Sequence, residues 1–309
     1  EYGADILRLW ALSSLVYDDI RISPEIIKNL TETYRKIRNT IRFALSNIYD
    51  FDPKQHYLPF TKLHSIDQYY FIRLQAFTKE IISAYQSYEF HGVVHKINHF
   101  ASTELSATYF DILKDRLYTF HPNSPERRSA QTVLYEILLH LLPLLAPVLS
   151  FTSEEAYQYL PGEKKLSVFL HGFPSPIPIE FGKKVKEEWE TLFLLREHIN
   201  RLLESARQEK KIHHSYEAQV HLYGAGETGE ILKKYEEILP EWLIVSQVTL
   251  YETLPPSLPA TPHPQLWGKI ERAEGEKCAR CWRYSPEVGE NPRHPDLCPR
   301  CEEVVSALV

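Results

Sequence analysis

Apolar residues recur at three- and four-residue steps through most of the first 160 residues, the period of an amphipathic helix. Residues 3–17 gather Ile6, Leu9, Trp10 and Leu12 in one predicted helix, and D-D-I-R-I-S-P breaks it. Ser23-Pro24 then supplies an N-cap and a proline at the first helical position. Behind it, Leu30, Tyr34, Ile37, Ile41, Leu45 and Ile48 form a long stripe that must face a core. Further helical patterns run over roughly residues 66–90, 91–117 and 126–150, separated by a turn at H-P-N-S-P-E before the last. Thr152 with Glu155 reads as a capping box that opens a short helix. Together these elements predict an antiparallel helix bundle.

The pattern changes at Pro161-Gly162. Residues 161–181 read as an extended, proline-rich linker. Residues 182–211 are strongly helical, A-Q-V-H-L-Y alternates like a strand, 227–239 look helical, and W-L-I-V-S-Q-V-T-L-Y reads as a second strand. That predicts a small α+β unit over 182–251. A second stiff linker, 252–270, carries P-P-S-L-P-A-T-P-H-P, and residues 271–309 form the tail. The expected fold class is mainly α: a helix bundle over 23–160, then the α+β unit, then a four-cysteine zinc ribbon or knuckle.

The tail holds the most specific signal. All four cysteines lie between 278 and 301, as Cys278-x2-Cys281 and Cys298-x2-Cys301 with sixteen residues between the pairs. Two residues between cysteines let both sulfurs reach one ion from a tight turn, and two such turns close a tetrahedral all-sulfur shell of structural zinc with no open position. Gly289 and four prolines punctuate the segment, which therefore needs the metal to fold. Disulfides fit poorly, because no other cysteine and no secretory signal accompany the cluster.

Composition adds bounds. A hydrophobic share of 43% and a charged share of 25% describe an ordinary soluble protein. The longest apolar stretch, 133–151, contains Glu136, His140, Pro143 and Pro147, so a buried core helix explains it better than a membrane span. Clustered thiols and no targeting segment favour the cytoplasm. The net charge of −6 excludes a global attraction to nucleic acid, so a polyanion must be held by local patches. Methionine is absent and residue 1 is Glu, from which we expect a fragment of a longer protein.

Two patches qualify. In T-Y-R-K-I-R-N-T-I-R-F, Arg35, Arg38, Asn39 and Arg42 share one helix face opposite the apolar stripe. Guanidinium groups there suit phosphate, although a solvated face, or one paired with carboxylates, has the same spacing. In the tail, Arg280, Trp282, Arg283 and Arg300 cluster on the knuckles. Trp282 serves there either as a packing plug or as a stacking platform for an unpaired base. His213 and His214 diverge as neighbours and read as a solvated helix end. No Gly-rich phosphate loop, G-x-S-x-G, H-E-x-x-H or free cysteine nucleophile is present, so no catalytic residue is assigned.

Y-G-A-D-I-L-R-L-W, D-D-I-R-I-S, T-Y-R-K-I-R-N-T-I-R-F, L-L-A-P-V-L-S-F-T-S-E-E, S-V-F-L-H-G-F-P and C-A-R-C-W…C-P-R-C occur in this order across nearly the whole chain. The combination resembles the C-terminal part of bacterial-type isoleucyl-tRNA synthetases. The resemblance implies an anticodon-binding bundle, residues 1–22 as the end of a stem-contact segment, and one structural Zn2+ on the four cysteines. It also implies that Arg35, Arg38, Asn39, Arg42, Arg280, Trp282, Arg283 and Arg300 meet tRNA-Ile. The family attaches isoleucine to its tRNA with ATP; its catalytic and editing domains, and with them the ATP site, have no counterpart here. The chain is thus expected to be inactive alone, monomeric, free of membranes, and partnered in cis by a catalytic domain. The competing readings are a free-standing helical RNA-binding protein with a zinc tail, and a DNA glycosylase that shares the finger but needs a β-rich first half.

Overall fold

In the computed structural model, residues 2–14, 21–178 and 182–308 are described. The expected helix residues 15–17, the break at 18–20 and linker residues 179–181 lie outside them. Two compact units result: Glu1–Leu113 with Pro122–Lys183, and Lys114–His121 with Lys184–Val309. These units divide the chain differently from the six segments expected from sequence.

In the first unit, α1 (Ala4–Ser13), α2 (Pro24–Asn47), α3 (Pro53–His56), α4 (Ser65–Gln86), α5 (Phe90–His99), α7 (Pro125–Leu145) and α8 (Ser150–Gln158) build the bundle, with α6 (Phe110–Thr119) crossing into the second unit at Lys114. The Ser23 hydroxyl accepts from the Ile26 amide at 3.2 Å, the expected cap of α2. Ile37, Ile41 and Ala44 of that helix are buried, as the stripe requires. α7 is buried on nearly every face, which its continuous apolar run demands; among the described residues no helix is long and apolar enough to cross a membrane. Between α5 and α6 the helix widens into a π-helical stretch, Phe100–Tyr109. There Tyr109 stacks on Tyr70 and Phe110 on Phe43, while Thr40 of α2 bonds Ser106 at 2.7 Å.

Two expectations fail here. Thr152 is not a capping-box residue, because α8 starts earlier, at Ser150, and has no side-chain cap of its own. Asp5 of α1 supplies the missing acceptor, taking the Thr152 amide at 2.8 Å and its hydroxyl at 2.6 Å. A carboxylate at a helix N-terminus satisfies free amides and opposes the helix dipole. This contact makes α1 part of the bundle. Residues 161–178, expected to be an extended linker, also pack on it: Val168 is buried, Phe173 stacks on Tyr85, and the Ile177 amide donates to Gln75 Oε1 at 2.9 Å.

The second unit contains α9 (Lys183–Gln208), β1 (Ala218–Gly224), α10 (Gly226–Lys234), α11 (Leu239–Leu243), β2 (Gln247–Leu250), β3 (Leu266–Arg272), a small ribbon of β4 (Glu276–Lys277) and β5 (Tyr284–Ser285), and α12 (Pro299–Ser306). The main sheet has order β2-β1-β3, with β1–β2 parallel and β1–β3 antiparallel. Trp189 of α9 and Trp242 of α11 meet edge to face at 6.3 Å between centroids, both fully buried. The second expected strand is shorter than predicted, since residues 239–243 are helical and Ile244 turns left-handed at φ 58°. β3 was missed: its alternation of buried Leu266, Gly268 and Ile270 follows directly on a proline cluster, and the expected 270/271 boundary cuts through it.

Candidate metal centre and nucleic-acid interface

The tail folds around its cysteines. Cys278, Cys281, Cys298 and Cys301 are buried, and their sulfurs all lie within 4.8 Å of one another. Cys281 and Cys298 sulfurs are 3.8 Å apart. A tetrahedral ion about 2.3 Å from each sulfur needs an edge of about 3.8 Å, so the set fits zinc. The first knuckle closes through Trp282 N–H to the Cys278 carbonyl and Cys278 N–H to the Arg283 carbonyl, both 2.9 Å. At the second, the Cys298 amide donates to Cys278 Sγ at 3.3 Å. Arg280 reaches Cys301 Sγ at 3.7 Å, a contact that favours the thiolate. Gly275, at φ 87°, precedes the ribbon; a Cβ there would meet the Ser285 backbone at 2.2 Å.

The three tail arginines expected at an RNA surface each have a partner within the unit. Arg300 makes a two-pronged pair with Asp115, both contacts 2.8 Å, and stacks over Phe120 at 4.7 Å. Arg283 reaches the same carboxylate at 3.0 Å. Arg280 donates to the Thr119 carbonyl and to Cys301 Sγ. Burial pushes the Asp115 carboxyl up, but Arg300 and Arg283 outweigh it and hold the pKa below the ordinary value. Electrostatics accounts for the arrangement: four thiolates on one zinc would carry −2, Asp115 adds another charge, and three guanidinium groups face them. Trp282 behaves differently. It is 59% exposed and sits at φ 68° with Lys277 5.0 Å above its ring. Its indole lines a concavity of about 330 Å³ with His214, Tyr216, Ile244, Lys277 and Tyr284. His214, expected at a solvated helix end, thus stands beside the knuckle.

On the first unit, the α2 face divides. Arg35 is paired with Glu32 at 2.6 Å, an exposed contact of small worth. Arg38, Asn39 and Arg42 are exposed, and among the described residues none has a side-chain partner. Arg38 and Arg42 line a groove of about 190 Å³ together with Glu155 and the exposed Tyr159 of the α8 C-terminus. Sequence reasoning missed Tyr159, Asp115 and Thr119. Only Tyr159 carried a usable sign, an aromatic next to Pro161-Gly162 where a buried stripe position was not needed.

A helix bundle with a partly unpaired cationic helix face, followed in the same chain by a small α+β unit and a four-cysteine tail suited to zinc, defines a mainly helical class of recognition protein. The β-rich first half that a glycosylase needs is not what unit one contains. The family described as "Anticodon-binding domain of tRNA ligase" matches residues 67–222, half of the chain, and "Zinc finger found in FPG and IleRS" matches 275–304. The chain belongs to the anticodon-binding domain family of tRNA ligases. Its relatives include the Isoleucine–tRNA ligases of Carboxydothermus hydrogenoformans (46% identical over 100% of this chain and 33% of the relative) and Desulfitobacterium hafniense (43%, over 100% and 34%). That of Caldanaerobacter subterraneus subsp. tengcongensis is 44% identical over 97% of the chain and 33% of the relative. The chain spans about one third of the length of these relatives.

Proposed function

We propose that this chain is the tRNA-reading C-terminal part of an isoleucine–tRNA ligase, an enzyme that joins isoleucine to tRNA-Ile with ATP in the cytoplasm. ATP binding and amino-acid chemistry belong to a catalytic domain in cis, and the chain by itself is an inactive monomer. The observation that carries the reading is the joint match of an anticodon-binding bundle and a four-cysteine finger in one chain, in the order found in relatives of that name. Isoleucine and valine differ by one methylene, so amino-acid choice rests on pocket and editing; tRNA choice is a separate task performed away from the active site.

The division of labour follows from the chemistry of each surface. Arg38, Asn39 and Arg42, unpaired on α2, bind phosphate and base edges of the anticodon stem-loop, with Arg35 contributing once Glu32 releases it. Trp282 stacks on an unpaired base beside Lys277. Cys278, Cys281, Cys298 and Cys301 hold one structural zinc, which supplies a rigid fold and no reactive position. Arg280, Arg283 and Arg300, bound within the tail, support this platform rather than touching phosphate first.

The test is binding of the chain to tRNA-Ile over a salt series, beside the same tRNA with its anticodon changed to that for methionine. Anticodon-dependent loss of affinity is expected. In Arg38→Ala/Arg42→Ala the salt slope should fall by about 1.4, two single-stranded phosphate contacts at about 0.7 each. An unchanged slope removes the α2 face from the interface, and equal binding of both tRNAs refutes anticodon reading by this chain.

A further inference from the structure

Asp115 lies in the C-terminal half of α6 with its side chain 4% exposed, and no proposed tRNA contact uses it. One oxygen pair receives Arg300 at 2.8 Å twice, Arg283 reaches it at 3.0 Å, and the Thr119 hydroxyl donates at 2.6 Å. Arg300 directly precedes Cys301 and Arg283 directly follows Trp282, so a single carboxylate ties both knuckles. The neighbouring Arg116 is fully buried and pairs with Glu241 of α11 at 2.6 Å. The same helical turn is therefore bonded to α11 on one side and to the metal tail on the other. The tail's own apolar core beyond the cysteines is small, Leu297 and Val304 with Val288 and Val305 packed against it, and its other ties to the unit include single hydrogen bonds such as the Tyr284 amide to the Ser246 hydroxyl at 2.7 Å and Arg280 to the Thr119 carbonyl.

The direction of the Trp282 ring depends on this attachment. Its left-handed backbone is fixed by the knuckle hydrogen bonds, so turning the knuckle turns the ring. We propose that Asp115 is a positioning residue for RNA recognition, holding the two knuckles in the orientation that presents Trp282. The inference rests on the reading of Trp282 as an RNA contact. Charge, not only shape, is required, because neutralising Asp115 leaves two guanidinium groups without their anion beside the cysteine cluster.

The experiment uses the zinc-loaded chain as wild type, Asp115→Asn, Asp115→Glu, Trp282→Ala and the Asp115→Asn/Trp282→Ala double variant. Without RNA, amides of 279–284 should exchange at least about tenfold faster in Asp115→Asn at unchanged zinc content, with partial recovery in Asp115→Glu. Unchanged exchange overturns the proposal. Should Asp115→Asn lose zinc, Arg300→Lys, which keeps the charge but not the two-pronged donor, must show the faster exchange in smaller measure. With tRNA-Ile, Asp115→Asn should lose about tenfold in affinity in the Trp282 background and nothing more in the Trp282→Ala background. Equal losses in both backgrounds overturn positioning in favour of a general structural effect. If Trp282→Ala alone binds as wild type does, the RNA reading fails, whatever the exchange data say of the anchor.

Discussion

Zinc removal should unfold the tail and leave the bundle helical. Apart from its cysteines, the tail over 275–308 has two buried apolar side chains, Leu297 and Val304, and two half-buried ones, Val288 and Val305. At about 1.5–3 kcal/mol for a fully buried aliphatic side chain, these contribute about 7 kcal/mol together. A structural zinc in a small finger contributes about 10–16 kcal/mol near neutral pH, so the metal outweighs the apolar contacts. The β4–β5 ribbon has only two residue pairs, Glu276 with Ser285 and Lys277 with Tyr284, too few to stand alone. Chelation should therefore release residues 275–308 to proteolysis and cost at most the helical signal of α12, eight residues. The bundle core, centred on α7, shares none of these residues and should melt unchanged. Far-UV circular dichroism with mass-mapped proteolysis reads both effects. Loss of most helical signal on chelation, or a tail that stays protected without metal, would refute the reasoning.

Two further outcomes are expected. Asp50 is held by Arg127 at 2.6 and 2.8 Å, Arg128 at 3.2 Å and Gln131 at 2.8 Å; burial raises its pKa, but these partners outweigh it and lower the value to about 2. The folded value is depressed, so this stabilisation is complete above the ordinary carboxylate pKa near 4 and fades as pH falls towards 2. With a quarter of the side chain exposed, screening limits it to about 1–2 kcal/mol, and Asp50→Asn should flatten the urea-stability profile over that window. Trp282→Ala should weaken tRNA-Ile binding by about 1–3 kcal/mol while changing stability by less than about 1 kcal/mol, since the ring is largely exposed; a large fall in Tm at constant Kd would instead assign it to packing.

Local spacing carried what sequence reasoning could see. The C-x2-C pairs place ligands by turn geometry alone, and the α2 stripe follows from helical period, so the metal set and the bundle were legible before any contact was known. The errors have nonlocal causes. Thr152 looked like a cap because its partner, Asp5, lies 147 residues away. β3 was hidden because proline content masked a strand whose pairing comes from β1.

The sequence by itself determined the helical class, the four-cysteine cluster and which arginines could gather on a face, since each depends on residues a few positions apart. Tertiary structure alone decided which of those charges are free. Arg300 meets its anion across 185 residues, and no periodicity encodes such a pair. Desolvation made the choice: a buried carboxylate at Asp115 requires compensating charge, so the tail arginines nearest it are bound, while Arg38 and Arg42 on an open helix face remain available.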